Sequence, residues 1–92
     1  NISKLQKIVA DYFQISVDDL KGKKRSATIA FPRQIAMFLS RDVLNESYQR
    51  IGLEFGGRDH STVMHSCEKI ESDIKSNKSI RDTIEKIKKN LD

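Results

Sequence analysis

The chain has one cysteine, Cys67, in 92 residues. That excludes an internal disulfide and any multi-cysteine zinc motif, and nothing in it needs an oxidising compartment, so a cytosolic setting is expected. No apolar run approaches the roughly 20 residues of a membrane span. No secretory leader pattern opens the chain. Its first residue is Asn1, not Met, and it is expected to be a segment of a longer protein. Hydrophobic residues make up only 37%, lean for a globular chain. This length and composition suit one domain with a small core, and leave little room for a buried catalytic cleft. There is no glycine-rich loop followed by Lys-Ser/Thr to cradle a nucleotide phosphate. No repeat or low-complexity tract is present.

Acidic residues are missing from one stretch in particular. Between Lys21 and Arg41 lie Lys21, Lys23, Lys24, Arg25, Arg33 and Arg41 with no Asp or Glu. The stretch carries +6, against −2 for the rest of the chain, and the total is +4. The positive charge is therefore local, as a footprint for a polyanion would be. A solvated loop followed by a helix with snorkelling cations would give the same count.

Apolar spacing predicts helices nearly throughout. Leu5, Ile8, Val9, Tyr12 and Phe13 share one helical face. Ser3 and Gln6 form a capping-box pattern for the start of that helix, and Ser16 and Asp19 repeat it for a short second one. Gly22 ends the second helix and a basic loop follows. Pro32 suits the first turn of a third helix whose buried stripe is Ile35, Phe38, Leu39 and Val43; only Ala27 to Phe31 offers even a doubtful strand. Ser47 can cap a fourth helix carrying Tyr48, Ile51, Leu53 and Phe55, which Gly56-Gly57 ends. Asp59 caps a long fifth helix with Val63, Cys67, Ile70 and Ile74 on its core face. Ser79 and Asp82 open a sixth, with Ile80, Ile84, Ile87 and Leu91, after a loosely built Ser-Asn-Lys joint. The fold expected is all-α, one domain over residues 1–92.

A short helix, a tight glycine turn and a longer helix make a helix-turn-helix outline, in which the start of the second helix meets base edges in the major groove. Here that start is Asp59-His60-Ser61-Thr62. With Val63 at the core centre, Ser61, His65 and Ser72 point away from it, flanked by Thr62 and Lys69. Asp can accept from the cytosine amino group, Ser and Thr can donate or accept, and a Thr methyl can touch a thymine methyl. Asp59 is equally an ordinary N-cap, and His60 and His65 could be plain solvated histidines.

An enzyme reading finds no site. Asp59, His60 and Ser61 are sequence neighbours at a helix start and have no relay geometry. Cys67 lies on the core face and His65 opposite, so the two cannot share a metal ion with His60. The aromatics sit mostly at core spacings, which disfavours a stacking platform for single strands. A different class of reading is a helical interaction module whose basic face binds an acidic partner. Preference for one duplex over a scrambled one would separate it from a DNA reader.

The run Gly56-Gly57-Arg58-Asp59-His60-Ser61-Thr62-Val63-Met64-His65 closely resembles the signature of the DnaA family of bacterial chromosomal replication initiators. Lys24-Arg25-Ser26 and Phe31-Pro32-Arg33-Gln34-Ile35-Ala36-Met37 resemble its other hallmark. The likeness covers essentially the whole chain, as that family's C-terminal duplex-binding domain (domain IV), with a fold similar to the Trp repressor. The resemblance implies sequence-specific binding to short A/T-rich boxes of the replication origin. It implies that Arg25 enters the minor groove and that Asp59, His60, Ser61, Thr62 and His65 face the major groove. It places Arg33, Gln34, Arg41 and the Tyr48-Gln49 backbone at phosphates, where the basic side chains of Lys24, Arg58 and Lys69 are also expected. Ser61 stands where the family usually has Thr, and Tyr48-Gln49 where a Leu-Pro type of pair is commoner. Family members couple this domain to an ATP-binding AAA+ module, so no cofactor is expected on this chain. An isolated domain of this kind is expected to be monomeric, in the bacterial cytoplasm at the nucleoid.

Overall fold

The computed structural model describes all residues, Asn1–Asp92, as six helices and no strand: α1 (Ile2–Phe13), α2 (Val17–Lys21), α3 (Ala27–Asp42), α4 (Tyr48–Glu54), α5 (His60–Ser76) and α6 (Lys78–Leu91). None is long and apolar enough to cross a membrane.

Most helix starts satisfy their free N–H groups with the side chain just before them. Ser16 and Asp19 complete the expected capping box of α2. Ser47 accepts from the Arg50 N–H at α4, and Asp59 from the Ser61 N–H at α5. Two expected starts are corrected. The cap of α1 is Asn1, whose Oδ1 accepts from the Lys4 N–H at 2.8 Å. Gln6 does not reach back to Ser3; it is buried and its Nε2 donates to the Glu54 carbonyl at 2.8 Å, an acceptor 48 residues away at the end of α4. At α6 the cap is Asn77, not Ser79. The same residue ends α5 by donating its N–H to the Asp73 carbonyl, so the joint is one residue long and tightly built. Asp82 is drawn instead to Lys78, 2.7 Å away.

Helix α3 also starts earlier than its proline suggests. Ile29 and Ala30 already donate to the Ser26 carbonyl, and Pro32 lies inside the helix. The proline removes one bond close to the exposed first turn, where water can replace it. In exchange Ile29 and Pro32 are both buried, which removes the doubtful strand.

The core is built around α3, which packs on α1, α2, α4 and α5. Val9, Leu20, Ile35, Leu39, Ile51, Phe55, Val63, Ile70 and Ile87 are fully buried. Helix α6 closes the side formed by α1 and α5. Leu53, expected in the core, is 72% exposed. Ile51 and Phe55, four residues apart, already claim the inner face of α4, and Leu53 lies about 200° round from Ile51. Cys67 is buried among the apolar residues of the main cluster, and burial pushes its thiol up to about 11.

A serine hydroxyl at that position would have to be buried. Cys67→Ser should therefore cost about 1–3 kcal/mol of stability, read as a lowered thermal midpoint. An unchanged midpoint would show that position 67 is not part of the core.

Candidate nucleic-acid interface

The helix-turn-helix is α4, the segment Phe55–Asp59 and α5. The Gly57 and Arg58 N–H groups both donate to the Gly52 carbonyl, at 3.0 and 2.9 Å. Gly56 and Gly57 have φ of 84° and 77°, which glycine adopts at little cost. A Cβ on Gly52 would sit 2.1 Å from the Arg58 carbonyl oxygen, and one on Gly56 would sit 2.1 Å from that of Lys21. The turn is thus pressed against α4 on one side and against the end of α2 on the other. Sequence reasoning assigned no role to Gly52; a glycine inside a short helix, just ahead of a glycine turn, was the available signal.

The first turn of α5 carries the expected group. Thr62, His60 and His65 are exposed, Ser61 is half-buried, and Val63, Cys67 and Ile70 face the core. Asp59 Oδ2 lies 2.9 Å from the Ser61 N–H, and that bond holds its carboxyl below the usual range. His60 Nδ1 is 3.7 Å from Asp59 Oδ1.

Lys23, Lys24 and Arg25 are exposed in the segment between Gly22 and Ser26. An open groove of about 490 Å³ is lined by this segment, α3, the glycine turn and α5, through Lys23, Arg25, Gln34, Gly57, Thr62 and Ser66 among others. No Asp or Glu lines it. A second exposed cluster lies at the start of α4. Arg41 stacks 4.5 Å over the Tyr48 ring and donates to the Glu46 carbonyl, and Gln49 is exposed beside them.

Two arginines expected at phosphates make hydrogen bonds within the protein. Arg33 is only 6% exposed. Its guanidinium donates to the carbonyls of Leu20, Lys24 and Asp19, at 2.9, 2.9 and 2.8 Å. Arg58 is half-buried and donates to the carbonyls of Phe55, Lys21 and Gly22. Both are occupied by backbone that would otherwise lack donors. Of the remaining cations, Lys69 is exposed but paired with Asp73 at 2.8 Å, and Lys24 lies 3.6 Å from Asp19.

A family model described as the helix-turn-helix of the bacterial DnaA protein matches residues 2–70. The chain belongs to this DnaA family. It is 53% identical over 91 residues to a chromosomal replication initiator protein DnaA of Lactobacillus delbrueckii subsp. bulgaricus, covering 99% of this chain and 20% of that protein. A DnaA of Lactobacillus johnsonii is 50% identical with the same coverage. One of Treponema pallidum is 52% identical over 81 residues, 88% of this chain and 18% of its own length. The chain spans about a fifth of the length of the curated DnaA relatives it matches. The family match is to the helix-turn-helix part of DnaA, and α6, beyond it, still supplies the buried Ile84 and Ile87.

In this DnaA domain the two possible roles of Asp59 separate by substitution. Asn caps as well as Asp, so Asp59→Asn should keep the thermal midpoint at pH 7. Asp59→Ala should lower it. Because the Ser61 N–H lowers the folded-state pKa of Asp59, its ionised cap stabilises above the unfolded carboxylate pKa and is lost as pH falls through the lower folded value. Asp59→Asn should lose less stability than wild type on acidification. Equal acid titrations of stability for the two would refute the cap.

Proposed function

We propose that this domain binds double-stranded DNA at A/T-rich boxes of a bacterial replication origin and so targets the initiator to its start site. The observation that carries the reading is the groove, lined by no Asp or Glu, that Arg25 shares with Thr62 and Ser66 of α5. The family match to a helix-turn-helix of DnaA supports it.

In this reading the start of α5 enters the major groove, where Asp59, His60, Ser61, Thr62 and His65 meet base edges. The sugar-phosphate strand beside it runs along the groove between α5 and the basic segment. Arg25 reaches over that strand into the adjacent minor groove. A narrow A/T-rich minor groove has enhanced negative potential, which draws arginine in. Lys24, Gln34, Arg41 and the Tyr48-Gln49 backbone hold phosphates on the flanks. Arg41 is pre-oriented by its stack on Tyr48, so it loses little freedom on meeting a phosphate. Nucleotide binding is assigned to the AAA+ module that family members carry elsewhere in the chain, and the setting to the bacterial cytoplasm. The domain acts as one copy per box.

Competition between an origin-box duplex and a scrambled one of equal composition tests the reading directly. The box should win; equal competition would fit an acidic-partner module and sink the DNA-reading assignment. Exposed cations at Lys23, Lys24, Arg25 and Arg41 would neutralise about four phosphates, so log affinity should fall against log salt with a slope of roughly −4. Arg41→Ala should weaken box and scrambled duplex alike, since phosphates carry no sequence information. His60→Ala should weaken mainly the box, by about 1–3 kcal/mol.

Arg25→Lys keeps the charge but not the weak hydration that lets arginine enter a narrow groove. It should lose affinity for the box and barely change binding to scrambled duplex. Wild-type affinity of Arg25→Lys for the box would mean that Arg25 meets only a phosphate.

A further inference from the structure

Helix α2 stops at Lys21, and the chain turns away through Gly22 before reaching Arg25. The last carbonyls of a helix have no partner within it. Here five carbonyls within residues 19–24 are taken up by two side chains from other elements. Arg33, from α3, binds those of Asp19, Leu20 and Lys24. Arg58, from the helix-turn-helix turn, binds those of Lys21 and Gly22. Neither guanidinium lies within salt-bridge distance of a carboxylate. Burial and then repulsion from Arg58 disfavour the charge of Arg33, and Asp19 offsets them only in part. Placing two like charges side by side in this way is costly. Neutral donors could have satisfied the same carbonyls more cheaply. What arginine adds is a rigid planar fork that fixes several acceptors at once, which lysine does not reproduce.

Resting on the DNA-binding reading above, we propose that Arg33 and Arg58 are positioning residues. They clamp the backbone that leads to Arg25, tie it to the helix-turn-helix, and so set the reach of Arg25 into the minor groove. Arg33 acts through this segment and not by holding a phosphate. The Lys24 carbonyl is one residue from Arg25, so the clamp leaves only that single link free. The Gly56 backbone, too close to the Lys21 carbonyl to admit a Cβ, adds a third contact between the same two elements. The minor-groove arm and the recognition helix thereby move as one body, with the spacing between them preset.

The test compares wild type, Arg25→Ala, Arg33→Lys, Arg58→Lys and the double variant Arg25→Ala/Arg33→Lys. Each is measured on an A/T-rich origin-box duplex and on the same duplex with G·C pairs at the arm's position. Backbone amide order parameters of residues 23–26 are followed by NMR relaxation without DNA. In Arg33→Lys they should fall from the rigid range toward the flexible one. Its A/T-over-G·C preference should fall by roughly tenfold, toward that of Arg25→Ala. Its salt slope should match wild type, because no phosphate contact is lost. In the Arg25→Ala background, Arg33→Lys should add nothing further to the loss of preference. Should Arg33→Lys fail to fold, Arg58→Lys carries the same comparison from a half-buried site. A salt slope shallower by about one, with the preference intact, would make Arg33 a phosphate contact and overturn the proposal. Additive losses in the double variant would overturn it too. If wild type shows no preference for the box at all, the DNA-binding reading itself falls; a wild-type preference that both lysine variants retain removes only the positioning role.

Discussion

Backbone carbonyls at the end of a five-residue helix govern the geometry of this domain. Helix α2 is too short to be stable alone, and its last carbonyls have no partner within it. Arg33 and Arg58 supply donors, from α3 and from the helix-turn-helix turn. Gly56 lets the turn come against the Lys21 carbonyl, and Gly52 lets the same turn close onto α4. Four elements therefore meet at one small junction. The basic segment leaves that junction on one side and α5 leaves it on the other, so their separation follows from how the junction is packed.

Two guanidinium groups at such a junction cost desolvation energy that carbonyl acceptors alone offset only in part. The negative end of α2 contributes a little, since cations are favoured at helix C-termini. Their charge is not confined to the interior, however. Arg33 and Arg58 both line the open groove with Lys23 and Arg25; no Asp or Glu lines it, and Asp19 offsets the charge of Arg33 only in part. They add to a field that a polyanion approaching the groove would feel before contact. The same two charges thus serve the fold through short hydrogen bonds and the surface through long-range potential.

Much of this was legible in the sequence. Periodicity located the helices, Ser16, Ser47 and Asp59 marked three of their starts, and the glycine pair marked the turn. The errors share a cause. Ser3 with Gln6 and Ser79 with Asp82 satisfy a local pattern, but Gln6 is claimed by a carbonyl 48 residues away and Asp82 by Lys78. Pro32 reads as a helix start, but burial of Ile29 extends the helix by a turn. Resemblance assigns Arg33 to a phosphate and charge assigns Arg58 to one, and neither assignment foresees their bonds to backbone carbonyls. Arg33 finds its acceptors 9 to 14 residues back, and those of Arg58 on α2 lie 36 and 37 residues away. No local pattern encodes such pairings. Leu53 was misplaced for a simpler reason: in a seven-residue helix, two buried positions exhaust the inner face.

Helix α5 divides its labour around its circumference, and that division has a consequence for how recognition can vary. Val63, Cys67 and Ile70 hold the core, while His60, Thr62 and His65 are exposed. Changing the outer side chains removes no buried area, so base preference in the major groove can shift at little cost in stability. The residues at the α2 junction have no such freedom. A side chain at Gly52 or Gly56 meets backbone within 2.1 Å, and losing either arginine takes the donors from several carbonyls at once, one of them, that of Leu20, buried in the case of Arg33. Under the positioning proposal, substitution there would move the arm relative to α5 and change the spacing at which a sequence is read. Specificity therefore has two separable determinants in this fold: the outer face of α5, which chooses bases, and the packed junction, which sets how far apart the two grooves are read.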